Sequence, residues 1–200
     1  MFNSVECLQK SVESPYQDLF HQYVKLILQW NRKTNITSRH NAKARIYDFI
    51  CEGIAMSQLI NEKQSVIVDV GSGAGFPGIV LSILGFENIH LVEINYKKAA
   101  FLQYAVAELG LKAKVHNKDI RIVSLPQVDY ITSKAVTSAD QLVSLCNSIT
   151  YPQTKFILCK NLDDGHVGGE VRIITLNYGS QKSTSLSKQF LFLMSCWACC

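Results

Sequence analysis

The residues best placed to do chemistry lie between a short β-branched run and an apolar segment: Val66-Ile67-Val68-Asp69-Val70-Gly71-Ser72-Gly73-Ala74-Gly75-Phe76-Pro77-Gly78. Glycines permit a tight turn and let a ligand approach the backbone with no Cβ in the way. A strand running through such a loop into a helix is the context that nucleotide-type ligands require. Pro77 suits an early helical position, where its missing N–H costs little. Two ligand classes compete for this loop. Gly73-x-Gly75-x-x-Gly78 matches the dinucleotide fingerprint, in which a helix N-terminus binds a pyrophosphate. The alternative is S-adenosylmethionine, whose amino-acid end carries an ammonium group. Asp69 favours the second, because a carboxylate beside a pyrophosphate is repelled whereas an ammonium is attracted. Glu93 closes the next strand, where its carboxylate can accept hydrogen bonds from both ribose hydroxyls, and that feature fits either ligand. A bare strand-to-helix turn would explain the glycines, but not their combination with Asp69 and Glu93.

Nothing else in the chain makes a catalytic dyad. His21, His40, His90, His116 and His166 show no spacing that pairs them with a serine or cysteine nucleophile, and they read as surface or structural histidines. Cys196-x-x-Cys199-Cys200 lacks the second Cys/His pair that a structural zinc site needs, so apolar packing or exposed thiols are expected and no metal. Lys25, Arg32, Lys33, Arg39, Lys43 and Arg45 cluster in the N-terminal third. Such residues make phosphate contacts in nucleic-acid interfaces, although an ordinary solvated basic face has the same composition. The net charge of +4 is compatible with an RNA partner and demonstrates none.

Elements of two kinds must position the loop. Leu19, Tyr23, Leu26, Ile27 and Trp30 form one helical stripe, and Ile46, Phe49, Ile50, Ile54 and Leu59 form a second. The polar stretch from Asn31 to Asn41 separates them. From Ser65 strands alternate with helices: strands at 66–70, 89–93, 114–116, 129–132 and 156–159, helices at 79–84, 97–109 and 138–148. That alternation predicts an α/β fold with a mostly parallel sheet and helices on both faces. Val171 to Leu176 and Phe190 to Trp197 are expected to form an antiparallel hairpin at the sheet edge. The 200 residues therefore divide into an N-terminal helical extension, 1–62, and a Rossmann-like domain, 63–200, whose last part, 161–200, has the least regular pattern. Seven cysteines, odd in number and irregular in spacing, predict reduced thiols and a cytoplasmic location. No apolar run is long enough to span a membrane.

In several motifs the chain resembles the bacterial small-subunit rRNA guanine-N7 methyltransferases, the glucose-inhibited division protein B family. Trp30-Asn31-Arg32-Lys33-Thr34-Asn35-Ile36-Thr37 resembles that family's tryptophan–asparagine signature. Gly71 to Ile79, with its Phe-Pro-Gly ending, is similar to its cofactor loop. Lys98-x-x-Phe101-Leu102 with Glu108-Leu109-Gly110-Leu111, Thr132-Ser133-Lys134-Ala135 and Leu158-Cys159-Lys160 follow in family order. The resemblance implies a class I S-adenosylmethionine-dependent methyltransferase fold and methylation of a guanine N7 in 16S rRNA. It implies cofactor contacts from Gly71, Phe76, Asp119, Ile120 and Lys134, with Glu93 on the ribose, beside Asp69, Gly73 and Gly75 of the loop. RNA contacts are expected from Arg32, Lys33, Arg39 and Lys134, and the assembly is expected to be a monomer. Asp119 alternatively caps a helix. Several departures stand out: the family arginine is Lys134, the family aspartate in the second helix is Glu52 and the histidine of that helix is absent, and only Asn161 to Glu170 stands where the family has a long helix before its final hairpin. Lysine keeps the charge and loses the planar fork.

Overall fold

The computed structural model describes residues 12–134, 139–151, 153–160, 170–177 and 187–194. Helices α1 (Ser14–Asn31) and α2 (Ala42–Ser57) come first. The alternating part follows as β1 (Val66–Val70), α3 (Gly78–Ile83), β2 (Asn88–Val92), α4 (Tyr96–Glu108), β3 (Lys114–His116) and β4 (Tyr130–Lys134). After these come α5 (Ala139–Leu145), β5 (Lys155–Lys160), β6 (Glu170–Asn177) and β7 (Ser187–Met194).

The strands make one sheet in the order β3-β2-β1-β4-β5-β7-β6. The first five are parallel, and β7 pairs antiparallel with both β5 and β6. The expected edge hairpin is therefore present, joined to the sheet through its second strand. The six C-terminal residues of the chain, including Cys196, Cys199 and Cys200, lie outside the described residues. Successive connections run from β1 outward to β3, then return to β4 on the other side of β1. That reversal opens a crevice at the carboxyl ends of β1 and β4, where open α/β sheets bind ligands.

Alternation along the strands sends side chains to two apolar clusters, one on each face. Ile67, Ile89, Leu91, Tyr130 and Ile157 pack with residues of α1 to α4. Val68, Val70, Val92, Ile131, Phe156 and Leu158 pack with Leu142, Cys146 and Ile149. The helical extension thus shares its core with the sheet. Phe20, Tyr23, Ile27, Ile46 and Ile50 are fully buried in that first cluster. Phe20 and Val24 widen the α1 stripe beyond the expected positions, because the helix is covered on one side by α2 and on the other by α4. Trp30 makes the second contact, its ring centre 5.6 Å from Phe101 and 5.2 Å from Tyr104.

Local caps explain several element ends. Asn95 accepts from the backbone N–H of Lys97 and Lys98 at the start of α4, and Gly110, at φ 62°, follows its end. The helix expected over 138–148 is shorter in the structure. After α5 the chain tightens into a separate 3-10 turn, Asn147–Ile149, where the Ile149 N–H donates to the Cys146 carbonyl and Ile149 is buried. Burial pushes the Cys146 thiol up to about 12, which makes it an apolar filler.

Phe101 joins α1, α4 and the sheet face, so Phe101→Ala is expected to lower stability by about 3–5 kcal/mol through the cavity it leaves. Urea unfolding monitored by circular dichroism checks this; a loss under about 1 kcal/mol would mean the α1–α4 contact is not part of the core.

Candidate active site

The glycine loop is built from beneath by a buried carboxylate. Asp69 is the β1 residue opposite Thr132 of β4, and both side chains point to the α3 face. One Asp69 carboxylate oxygen accepts from the Thr132 hydroxyl at 3.2 Å, and the other accepts from the Gly78 N–H at 3.2 Å. Asp69 is completely buried, and that burial raises its pKa to about 7. Hydrogen bonds from Ser72, Gly78 and Thr132 oppose the rise, and the charge of Glu93 adds to it.

Each glycine has a different duty. Gly78 lies so close to the sheet that a Cβ would sit 2.2 Å from Leu91 and 2.8 Å from an Asp69 carboxylate oxygen. Gly75, at φ 100°, faces Ile79 and Tyr23, where a Cβ would also collide. Gly73, at φ 59°, is the open one, with only the Gly71 carbonyl near, at 3.8 Å. One side of the loop is therefore packed on protein and the other is clear for a ligand. The Gly71 and Ser72 N–H groups donate to the Val92 carbonyl, which ties the loop to β2.

Glu93 follows β2 and holds the loop from above. Its carboxylate accepts from the Gly73 N–H and from the Asn95 N–H, each at 2.8 Å. Asn117 in turn donates to the carbonyls of Glu93 and Ile94, while the Glu93 N–H donates to the His116 carbonyl. The ends of β1, β2 and β3 thereby meet around a single carboxylate.

Asp119 caps the 3-10 turn Ile120–Ile122 and accepts from the Arg121 backbone and guanidinium. Those contacts hold its carboxyl down at about 2. The capping role expected for Asp119 is met, and Ile120 beside it is buried. Lys134, at the end of β4, lies 2.8 Å from the Glu52 carboxylate and over the Phe49 ring. Two of the departures from the family pattern, Lys134 and Glu52, are thus partners of one another. The sequence showed both and gave no sign that they touch.

Two more residues escaped the sequence reasoning. Tyr23 of α1 donates its hydroxyl to the Ala74 carbonyl in the glycine loop, and its ring lies 5.4 Å from that of Phe76. Burial, and secondarily Asp69, raises its pKa well above the usual phenol value. A hydroxyl at a core-facing position of the α1 stripe needs a partner, which was the available signal. Asn31 is the other. Its side-chain oxygen accepts from the N–H groups of Ile36 and Thr37 and folds the Trp30–Thr37 motif into a closed loop. Arg32 and Lys33 stand exposed on that loop and Arg39 just beyond it, where Asn35, Ser38 and Arg39 line an open depression of about 550 Å³.

His90 and His116 are hydrogen bonded to one another at 2.9 Å, with stacked rings. Burial, then the neighbouring cations, lowers both, His90 to about 4, so they stay neutral near pH 7. Among the described residues no three His, Cys, Asp or Glu side chains converge to hold a metal, and no helix is long and apolar enough to cross a membrane.

The fit of a ligand follows from this geometry. Glu93 borders an open glycine backbone at the switch crevice, a setting suited to a ligand with ribose hydroxyls and unsuited to a pyrophosphate, whereas Asp69, expected beside the ligand, is buried beneath the loop and fixes Gly78.

Comparisons with known proteins agree. The family model described as rRNA small subunit methyltransferase G matches residues 16–188. The ribosomal RNA small subunit methyltransferase G of Wolinella succinogenes is 34% identical over 157 residues, spanning 76% of this chain and 80% of that protein. Its counterpart in Campylobacter hominis is 36% identical over 147 residues, 72% of this chain and 78% of that protein. Among solved structures, a variant of MtNAS in complex with S-adenosylmethionine superposes with a TM-score of 0.60 at 16% identity, covering 91% of this chain and 76% of that one. TrmK of M. capricolum with S-adenosyl-homocysteine superposes with a TM-score of 0.51 at 14% identity, covering 72% and 67%. These two likenesses show the fold.

The raised pKa of Asp69 has a signed consequence for stability. The folded chain holds the Asp69 proton up to about pH 7, whereas the unfolded chain loses it near roughly pH 4. Between those values the folded state binds the extra proton, so this group's contribution falls as pH rises and is flat above. Asp69→Asn removes that slope. Urea unfolding of both proteins at about pH 5 to 8 should show the variant gaining on the wild type as pH increases; a constant difference would contradict the buried, proton-holding carboxylate.

Proposed function

The chain belongs to the rRNA small subunit methyltransferase G family, and on that premise we propose that it transfers the methyl group of S-adenosylmethionine to N7 of a guanine in 16S rRNA. The observation that carries this assignment is the glycine loop at the β1–β4 crevice, clasped by Asp69 below and Glu93 above. Gly71, Gly73 and Gly75 offer the backbone on which the cofactor would lie, with Phe76 beside them. Glu93 would turn to the ribose hydroxyls, Asp119 and Ile120 would border the adenine, and Asp69 would hold the loop in place from beneath. Lys134 stands at the same crevice and would meet an anionic group of the cofactor or RNA.

When bound, the cofactor supplies an electrophilic methyl carbon on a sulfonium, with a neutral thioether as leaving group. Guanine N7 already carries a lone pair, so no residue has to remove a proton. The chain's task is placement: the loop fixes the sulfonium end, and the protein must bring N7 in line with the carbon–sulfur bond. That division of labour agrees with the mutually bonded, neutral His90 and His116, which serve β2 and β3.

Arg32, Lys33 and Arg39 are the residues proposed to meet RNA phosphates. They are exposed, on or just beyond the loop that Asn31 closes, and that loop's Ile36 is buried in the cluster that includes Ala74 and Phe76. A base displayed from an RNA loop can be read at its Hoogsteen edge, where N7 lies. We place the enzyme in the cytoplasm as a monomer acting on the small ribosomal subunit.

Labelled S-adenosylmethionine incubated with undermethylated small subunits and with naked rRNA is expected to label rRNA at guanine N7. Label on another acceptor with none on rRNA would overturn the assignment. Gly73→Val in the same assay should abolish labelling while the fold persists, since the open side of the loop is filled at a backbone cost of about 1–2 kcal/mol. Single alanine substitutions of Arg32, Lys33 and Arg39 should each lower the salt slope of rRNA binding by about one. An unchanged slope in all three would place the RNA elsewhere.

A further inference from the structure

Lys134 is the last residue of β4, and the β1–β4 register pairs Val70 with Ser133. The next step along both strands sets Lys134 across from Gly71, at the crevice where the strand order reverses. Its ammonium lies 2.8 Å from a Glu52 carboxylate oxygen and 2.7 Å from the centre of the Phe49 ring, with the Phe76 ring centre at 5.9 Å. The two side chains are 17% and 5% exposed. Glu52 comes from α2, where Ile50, Cys51, Gly53 and Ile54 around it are also buried.

Stability does not account for this carboxylate. Removing two charges from water offsets most of their attraction, and an apolar pair of equal volume does as well or better. A lysine on its flexible stem, left to itself, extends its ammonium to water. Glu52 and the Phe49 face instead restrain that ammonium beside the glycine loop, through an ion pair and a cation–π contact. An ammonium has three donors, so it can hold Glu52 and an incoming carboxylate together. The enclosure of Lys134 favours a single carboxylate over a polyanion, whereas Arg32, Lys33 and Arg39 are exposed.

We propose that Glu52 is a positioning residue that holds the Lys134 ammonium on Phe49 at the β1–β4 crevice, where it takes the carboxylate at the amino-acid end of S-adenosylmethionine. This rests on the assignment of the crevice as the cofactor site.

Calorimetric dissociation constants for S-adenosylmethionine and for its decarboxylated form, which keeps the sulfonium and ammonium, test it in the full chain. Glu52→Gln and Lys134→Gln should each weaken S-adenosylmethionine by about tenfold or more, the effect of losing one charge-assisted hydrogen bond. Decarboxylated cofactor should bind both variants and wild type within about twofold, which also certifies their fold. The double variant Glu52→Asp with Lys134→Arg, which keeps both charges and a similar span, should restore discrimination. If Glu52→Gln does not fold, Glu52→Asp alone withdraws the carboxylate by one methylene and should weaken S-adenosylmethionine selectively. Weakening by Lys134→Gln with unchanged or tighter binding by the Glu52 variant that folds would overturn the positioning role. Unchanged cofactor binding by Lys134→Gln with a lowered salt slope for rRNA would assign the cation to RNA, and without that slope change would leave it no ligand; either result overturns the inference. Failure of wild type to bind either cofactor form would instead overturn the crevice assignment itself.

Discussion

The architecture of the site depends on one carboxylate that water never reaches. Asp69 links a strand, its neighbour and the first turn of a helix by accepting from Thr132 and from the Gly78 N–H. A backbone group can approach a buried side chain so closely only where no Cβ intervenes, and Gly78 provides that. The strand-to-helix turn is then set by geometry on its inner side, which leaves its outer side, at Gly73, available to a ligand. Burial of an acid is costly, and three surrounding donors reduce the cost without removing it.

Around that carboxylate the site is assembled from every part of the fold. Glu93 gathers the ends of the outer strands, Tyr23 descends from α1 onto the loop, and Glu52 reaches from α2 to the end of β4. Rings mediate much of this traffic. Phe49 stands between Arg45 on the surface and Lys134 within, and edge-on to Phe76 at 5.3 Å. Tyr23 continues the aromatic series from Phe76 into the core. The surface at Arg45 and the crevice at the end of β4 are therefore connected through packed side chains.

Local pattern made the sheet and its loop legible. The β-branched runs, Asp69 and Glu93 at strand ends, and the glycines all act over a few residues, so they are visible in sequence order. The same was true of the helix over 97–109 and of the hairpin strands after residue 170. Long-range partners were not legible. Glu52 and Lys134 each looked like an isolated conservative change, because nothing in a linear pattern states that α2 crosses β4. Tyr23 was read as one more apolar position, yet its hydroxyl spans 51 residues to Ala74. The early end of α5 was missed because the gain from burying Ile149 through a tighter turn depends on the sheet face beneath it.

The hydrogen bond from Tyr23 to the glycine loop bears on how such enzymes can diverge. A helical segment that merely decorated the sheet could be exchanged between relatives as a cassette, retuning RNA choice while leaving cofactor affinity alone. Here the segment carries one of the fastenings of the glycine loop and, in Glu52, the partner of a crevice lysine. A graft across residues 62 and 63 would have to bring tyrosine, acid and base from matched parents, so the helical segment and the sheet are bound to change together.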